Sequence, residues 1–243
     1  MNDPRRPPIF VLSSFVTALA CAACAATPPA AAPVPASSSP TTLRALYGLS
    51  RPPSIPASRT AIVLVDFQEE FFHGRLSIPD GAAAVEHAAA LLRWARANGV
   101  LVVHVRNVAQ SPRSLLFAAG SPTTAIVADL APAPGEIVLT KSMAGAFSRT
   151  DLDATLKGKG IELLVVGGIM THLAVDTTVR DGMVLGYRVI VAADATATRT
   201  LPGPPGEPPI DHRTVQRASL AALADRFADV LAVDEIARLP IVR

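Results

Sequence analysis

Residues 163–186 read LLVVGGIMTHLAVDTTVRDGMVLG, in which an apolar run, a glycine pair and a helical pattern follow one another without a break. The first four residues are all apolar, which is typical of a strand covered on both faces of a parallel sheet. Residues 171–185 have helical apolar spacing and stop before Gly186, a residue type that often ends helices. This stretch therefore predicts one strand–helix unit of a parallel α/β sheet.

The same alternation of short apolar runs and longer amphipathic segments continues on both sides of this unit. Strands are predicted at residues 61–65, 100–105, 136–140, 163–166, 188–192 and 230–233, and helices at 81–98, 151–159, 171–185 and 212–227. Residues 203–209, rich in proline and glycine, are predicted to form a surface loop. The pattern indicates a three-layer α/β/α domain with a mostly parallel sheet of about six strands.

The first 26 residues have a different composition and predict an export leader. Two arginines lie within residues 1–6, and residues 9–26 are apolar or small, as in a secretory signal peptide. Residues 18–21 (ALAC) resemble a bacterial lipobox, in which Cys21 would carry a lipid anchor, whereas residues 23–25 (ACA) would instead release a soluble protein. We expect an exported bacterial protein, periplasmic or membrane-anchored, with a tether at residues 27–41 and one domain at 42–243.

Overall composition excludes several classes of function. The chain has 243 residues and a formal net charge of +2, which does not provide the broad basic surface of a nucleic-acid-binding protein. No G-x-S-x-G elbow, phosphate-binding loop or dinucleotide fingerprint is present. Only two cysteines occur, Cys21 and Cys24, so the predicted domain contains no thiol.

Polar residues follow three of the predicted strands. Asp66 ends the first strand, Lys141 ends the third, and residues 167–176 form a glycine-marked turn that opens a helix. In an open parallel sheet, ligands bind outside the carboxyl ends of the strands, so these groups are expected to converge. Backbone N–H groups at the helix start could stabilise a developing anion. Each feature alone also fits a purely structural role, because aspartate and glycine are common in turns.

Five short motifs, taken together, resemble the isochorismatase-like (cysteine hydrolase) superfamily. They are VDFQ at 65–68, Lys141 with AF at 146–147, GIMTHLAVDTT at 168–178, GYRV at 186–189 and ADAT at 193–196. The resemblance extends over residues 42–233. It implies a Rossmann-like fold, a tendency to form homo-oligomers, and activity on small carbonyl compounds, as in isochorismatases, nicotinamidases and other amidases. It also implies a non-proline cis peptide between Ile169 and Met170.

The resemblance implies roles for individual residues. Asp66 matches the catalytic proton-shuttling acid, Lys141 matches the lysine that holds charge in the site, and the nucleophilic cysteine falls on Ala174. Candidate substrate-binding residues, from the motifs and their neighbours, are Gln68, Phe71, Phe72, Ile169, Met170 and His172. The Asp-x-His metal motif of nicotinamidases is absent after the second strand, so we expect no metal and no cofactor, only a small-molecule substrate or ligand.

Ala174 leaves three hypotheses open, because a methyl group cannot attack a carbonyl. The protein could hydrolyse a small carbonyl, amide or vinyl-ether compound without a cysteine, with Asp66 as acid and water as nucleophile. It could be an inactive member that binds a small carbonyl ligand. It could also be an engineered cysteine-to-alanine variant of a cysteine hydrolase.

Overall fold

A computed structural model describes residues 41–243. The predicted leader, the possible lipid anchor at Cys21 and all of the tether except Thr41 lie outside the described residues, and they stay predictions. None of the helices within residues 41–243 is long and apolar enough to span a bilayer.

Eight strands and six α-helices are present in the described part of the chain. The strands are β1 (Ile55–Pro56), β2 (Thr60–Val65), β3 (Leu101–Asn107), β4 (Ile137–Lys141), β5 (Leu163–Ile169), β6 (Arg188–Ala197), β7 (Asp229–Leu231) and β8 (Ile241–Val242). The α-helices are α1 (Leu43–Leu46), α2 (Gly81–Ala97), α3 (Leu152–Gly158), α4 (Asp176–Val184), α5 (His212–Arg226) and α6 (Val233–Ala237).

Six strands form one parallel sheet in the order β4-β3-β2-β5-β6-β7. The central strands β2 and β5 are buried along their whole length, as their continuous apolar sequences predict. Alternate strand residues face two separate apolar cores. Helices α2 and α6 cover one core, and α3, α4 and α5 cover the other. The predicted three-layer α/β/α architecture is therefore confirmed.

The strand order reverses between β2 and β5, and this reversal determines where a ligand can bind. The chain builds outward through β3 and β4, then returns to place β5 against the other side of β2. The carboxyl ends of β2 and β5 consequently border a crevice, the usual ligand position in open α/β sheets. Gly168 is required here, because a Cβ atom at this position would lie 2.5 Å from the Val65 carbonyl oxygen.

The predicted elements agree with the structure closely, and the differences are at short segments. The predicted helix at 171–185 is a turn of π-helix, Thr171–Val175, followed by α4. Strand β6 continues five residues past its predicted end, with a change of register against β5. The short elements α1, α6, β1 and β8 were not predicted, because two to five residues are too few to show a helical or alternating apolar pattern.

Candidate active site

A buried ion pair lies at the carboxyl edge of the sheet. Lys141, the last residue of β4, donates from Nζ to Asp66 Oδ2 at 2.6 Å and to the Met143 carbonyl oxygen at 3.0 Å. Asp66 follows β2 directly and has a φ of 55°, a left-handed conformation that is rare for residues other than glycine. Its N–H donates to the Val105 carbonyl oxygen, which fixes the backbone against β3. Parallel pairing thus brings together two residues distant in sequence.

The carboxyl group of Asp66 has a pKa above the usual value for an aspartate. Burial raises its pKa from 3.8 to about 6, because an interior environment disfavours the charged form. The Lys141 ammonium opposes this shift by attraction and by its hydrogen bond, without cancelling it. Oδ1, the second carboxyl oxygen, is also buried and has no hydrogen-bond partner among residues 41–243. A carboxyl group of this kind can exchange a proton near neutral pH.

Asp66 and Lys141 line a cavity of about 190 Å³ together with Ala174. Ala174 belongs to the π-helical turn between β5 and α4 and is only 4% exposed. The preceding peptide bond between Ile169 and Met170 is cis, as the family resemblance implies, and both residues also line the cavity. The acid, the lysine and the position of the expected nucleophile therefore line the same cavity.

Aromatic and aliphatic side chains form most of the remaining wall. The rings of Phe71 and Phe117 meet edge to face, with centroids 5.4 Å apart, and both residues line the cavity. Leu173 and Met143 also line it. A cavity of this size and composition fits a small molecule with an apolar body and few polar groups.

Three of the predicted substrate-binding residues, Gln68, Phe72 and His172, are not among the residues that line this cavity. Gln68 is fully buried, and both its Nε2 and its Oε1 form hydrogen bonds with backbone groups. Phe72 packs its ring against Gly81 at the start of α2, on the wall of a different cavity. His172 pairs through Nδ1 with the Thr198 hydroxyl, and burial lowers its pKa.

Gln68 has a structural role, and replacing it with an apolar residue should lower stability. Its Nε2 donates to the carbonyl oxygens of Asn107 and Thr124 at 2.9 and 2.8 Å, and its Oε1 accepts from Asn107 N–H at 2.6 Å. Gln68→Met would leave these backbone groups unsatisfied, at about 1–3 kcal/mol for each buried group. We expect the free energy of unfolding in urea to fall by about 3 kcal/mol. Gln110→Met, at an exposed site, is the control and should change it by less than about 0.5 kcal/mol; equal effects would contradict the assignment.

Six residues that line the cavity were not among the predicted site residues: Asn107, Phe117, Ser142, Met143, Ala144 and Leu173. Asn107 is the last residue of β3, so its position at a strand end could have marked it as a candidate. Phe117 lies in an irregular loop with a φ of 52°, and its N–H points to the Glu70 carboxylate. No periodic pattern marks Phe117, because a loop reaches the site only through long-range packing.

A metal centre was not expected at this site. Within residues 41–243, no three or more His, Cys, Asp and Glu side chains are grouped so that they could hold a metal ion. The polar groups that line the cavity are Asp66, Asn107, Lys141 and Ser142.

Comparisons with known proteins agree with this fold. The family model described as the Isochorismatase domain matches residues 60–235. The secreted isochorismatase effector Isc1 of Verticillium dahliae is 33% identical over 195 residues, covering 79% of this chain and 97% of that protein. Maleamate amidohydrolase of Pseudomonas putida is 29% identical over 188 residues, covering 71% of this chain and 83% of that protein.

The structure of a cysteine hydrolase from Pseudomonas syringae pv. phaseolicola superposes with a TM-score of 0.74 at 29% identity. The match covers 83% of this chain and 97% of that protein. The family model alone spans most of the domain, and the parallel sheet order and the relatives are consistent with it. The predicted family is confirmed, and the chain belongs to the isochorismatase family.

Proposed function

We propose that this protein hydrolyses a small vinyl-ether compound, such as isochorismate, with Asp66 as the general acid and water as the nucleophile. The observation that carries the proposal is that only one oxygen of the Asp66 carboxyl group is hydrogen-bonded within the described residues. Lys141 holds Oδ2, while Oδ1 is buried in the cavity region with no partner among the described residues. Oδ1 is therefore the atom available to deliver a proton to a bound substrate.

The reaction needs no enzyme nucleophile, in keeping with Ala174. Asp66 donates its proton to the terminal methylene carbon of the vinyl ether, which leaves a cationic carbon stabilised by the ether oxygen. Water adds to that carbon and loses a proton, and the resulting hemiketal breaks into a ketone and an alcohol. Lys141 stabilises the carboxylate that Asp66 becomes after proton transfer, since its ammonium lies 2.6 Å from Oδ2.

The second candidate is a protein that binds a small carbonyl ligand without turning it over. Ala174 favours this candidate, because it supplies no group that can form an acyl-enzyme. The two candidates share the cavity, the lysine and the acid and differ only in turnover. Incubation of the full chain with isochorismate, with pyruvate release measured, distinguishes them. Release above the uncatalysed rate supports the hydrolase, and ligand binding without release supports the binding protein.

The proposed acid role predicts a specific pH dependence. The pKa of Asp66 is about 6, and general acid catalysis requires the protonated form. We therefore expect kcat/KM for isochorismate to be constant below pH 6 and to fall about tenfold for each pH unit above it. Circular dichroism over the same range verifies that the fold is intact. A rate that rises with pH through 6 would show that Asp66 acts as a base and would contradict the proposal.

A further inference from the structure

A second residue of the cavity wall has a buried side-chain oxygen that lacks a hydrogen-bond partner in the described part of the chain. Asn107 ends β3 and lines the cavity beside Asp66. Its side-chain Oδ1 is buried, and it accepts no hydrogen bond from any residue in the range 41–243. A buried acceptor left unsatisfied costs about 1–3 kcal/mol, so such an atom at the wall of a ligand cavity suggests a ligand that satisfies it.

Gln68 holds Asn107 in place through the backbone alone. It donates to the Asn107 carbonyl oxygen and accepts from the Asn107 N–H, so both main-chain groups of Asn107 are engaged by one buried side chain. A third hydrogen bond, to the Thr124 carbonyl oxygen, fixes the orientation of the Gln68 carboxamide. The backbone of Asn107 is therefore rigidly held, and its side chain is the part left to contact a ligand.

We infer that Asn107 is a substrate-orienting residue whose Oδ1 accepts a hydrogen bond from a hydroxyl or N–H group of the substrate. This inference rests on the proposed function for its catalytic consequence and names the substrate class more closely. The substrate is a small molecule with a hydrogen-bond donor on an otherwise apolar body. Its apolar part packs on Phe71 and Phe117, and its donor on Asn107 orients the reacting bond toward Asp66.

The predicted donor can be tested by binding, independently of turnover. Benzamide and methyl benzoate share a ring and a carbonyl group, but only benzamide carries N–H donors. We expect the full chain to bind benzamide about tenfold more tightly than methyl benzoate in ligand-observed NMR titrations, since a site built for a hydrogen bond discriminates against a ligand that lacks it. Absence of benzamide binding, or equal affinity for both compounds, would overturn the inference.

Variants of Asn107 test whether this residue causes the preference for benzamide over methyl benzoate. Asn107→Leu should abolish it, while Asn107→Asp, which keeps an oxygen at the same place, should retain it. The Gln68 hydrogen bonds use only backbone atoms of residue 107, so both variants should keep the fold, which thermal unfolding verifies. Asn98→Leu at the end of α2 is a matched control away from the cavity and should keep the preference. A preference that survives Asn107→Leu would overturn the inference.

Turnover provides the second readout. With isochorismate, Asn107→Leu should raise KM and lower kcat, each by about three- to tenfold, because the substrate is both bound more weakly and less well oriented. A wild-type chain that discriminates between the two benzoyl compounds but releases no pyruvate would contradict the proposed hydrolysis and leave the role of Asn107 intact. Unchanged kinetics in Asn107→Leu would overturn the orienting role.

Discussion

Asp66→Asn is expected to lower kcat/KM for isochorismate hydrolysis by about 10²- to 10⁴-fold, the contribution that a positioned general acid makes. Asparagine has the shape of aspartic acid and can still accept the Lys141 hydrogen bond at Oδ, but it has no proton to transfer. The substitution removes a buried carboxyl oxygen, Oδ1, that has no hydrogen-bond partner among residues 41–243, and it removes the titration with a pKa of about 6. Pyruvate release measured with saturating and limiting substrate checks the result.

The matched control is Asp129→Asn, the same chemical change at an exposed position. It should leave the rate unchanged within about twofold. Asp66→Asn should still bind isochorismate, as measured by calorimetry, because the apolar walls and Asn107 remain. A variant that keeps wild-type pyruvate release would remove Asp66 from the mechanism, and the proposed hydrolysis would then be rejected.

Ala174→Cys is expected to produce amide hydrolysis, from no detectable turnover to at least about 10²-fold above the uncatalysed rate. The new thiol would lie in the turn that precedes α4, where the positive end of the helix and the nearby cavity lysine lower a cysteine pKa. Asp66 could then accept the thiol proton, and the thiolate could attack a carbonyl in the same cavity. Maleamate is a suitable probe, with ammonia release as the measurement.

Ala144→Cys is the control for position, because Ala144 also lines the cavity but does not belong to the turn before α4. It should remain inactive toward maleamate. The natural cysteines lie at positions 21 and 24, so iodoacetamide labelling of a residue-174 peptide reports the new thiol alone. Rapid labelling without ammonia release would show that a reactive thiol is insufficient and that the scaffold is not a cysteine hydrolase lacking only its nucleophile. Equal activity of both variants would contradict a position-specific role.

Much of the sheet and the central pair of the site could be predicted because both depend on patterns local in sequence. Continuous apolar runs place β2, β3 and β5 within a buried parallel sheet, and the residue that ends each run must then lie at one edge. Asp66 follows from that rule for β2, and Lys141 follows from the same rule applied to the shorter strand β4. Gln68 does not follow from it, because two residues past a strand the chain has left regular structure and the direction of a side chain is no longer fixed by alternation.

The sequence by itself determined the α/β alternation, the family, and the absence of a cysteine from position 174, because periodicity and residue identity are properties of the chain. Tertiary packing decided which side chains reach the cavity. Because of this packing, the Gln68 side chain forms hydrogen bonds with the backbone of Asn107, and the ring of Phe117, from a loop distant in sequence, contacts the ring of Phe71. It also raised the pKa of Asp66, because the burial of this carboxyl group arises only when sequence-distant strands pair, and its effect exceeds the opposing effect of the Lys141 ammonium.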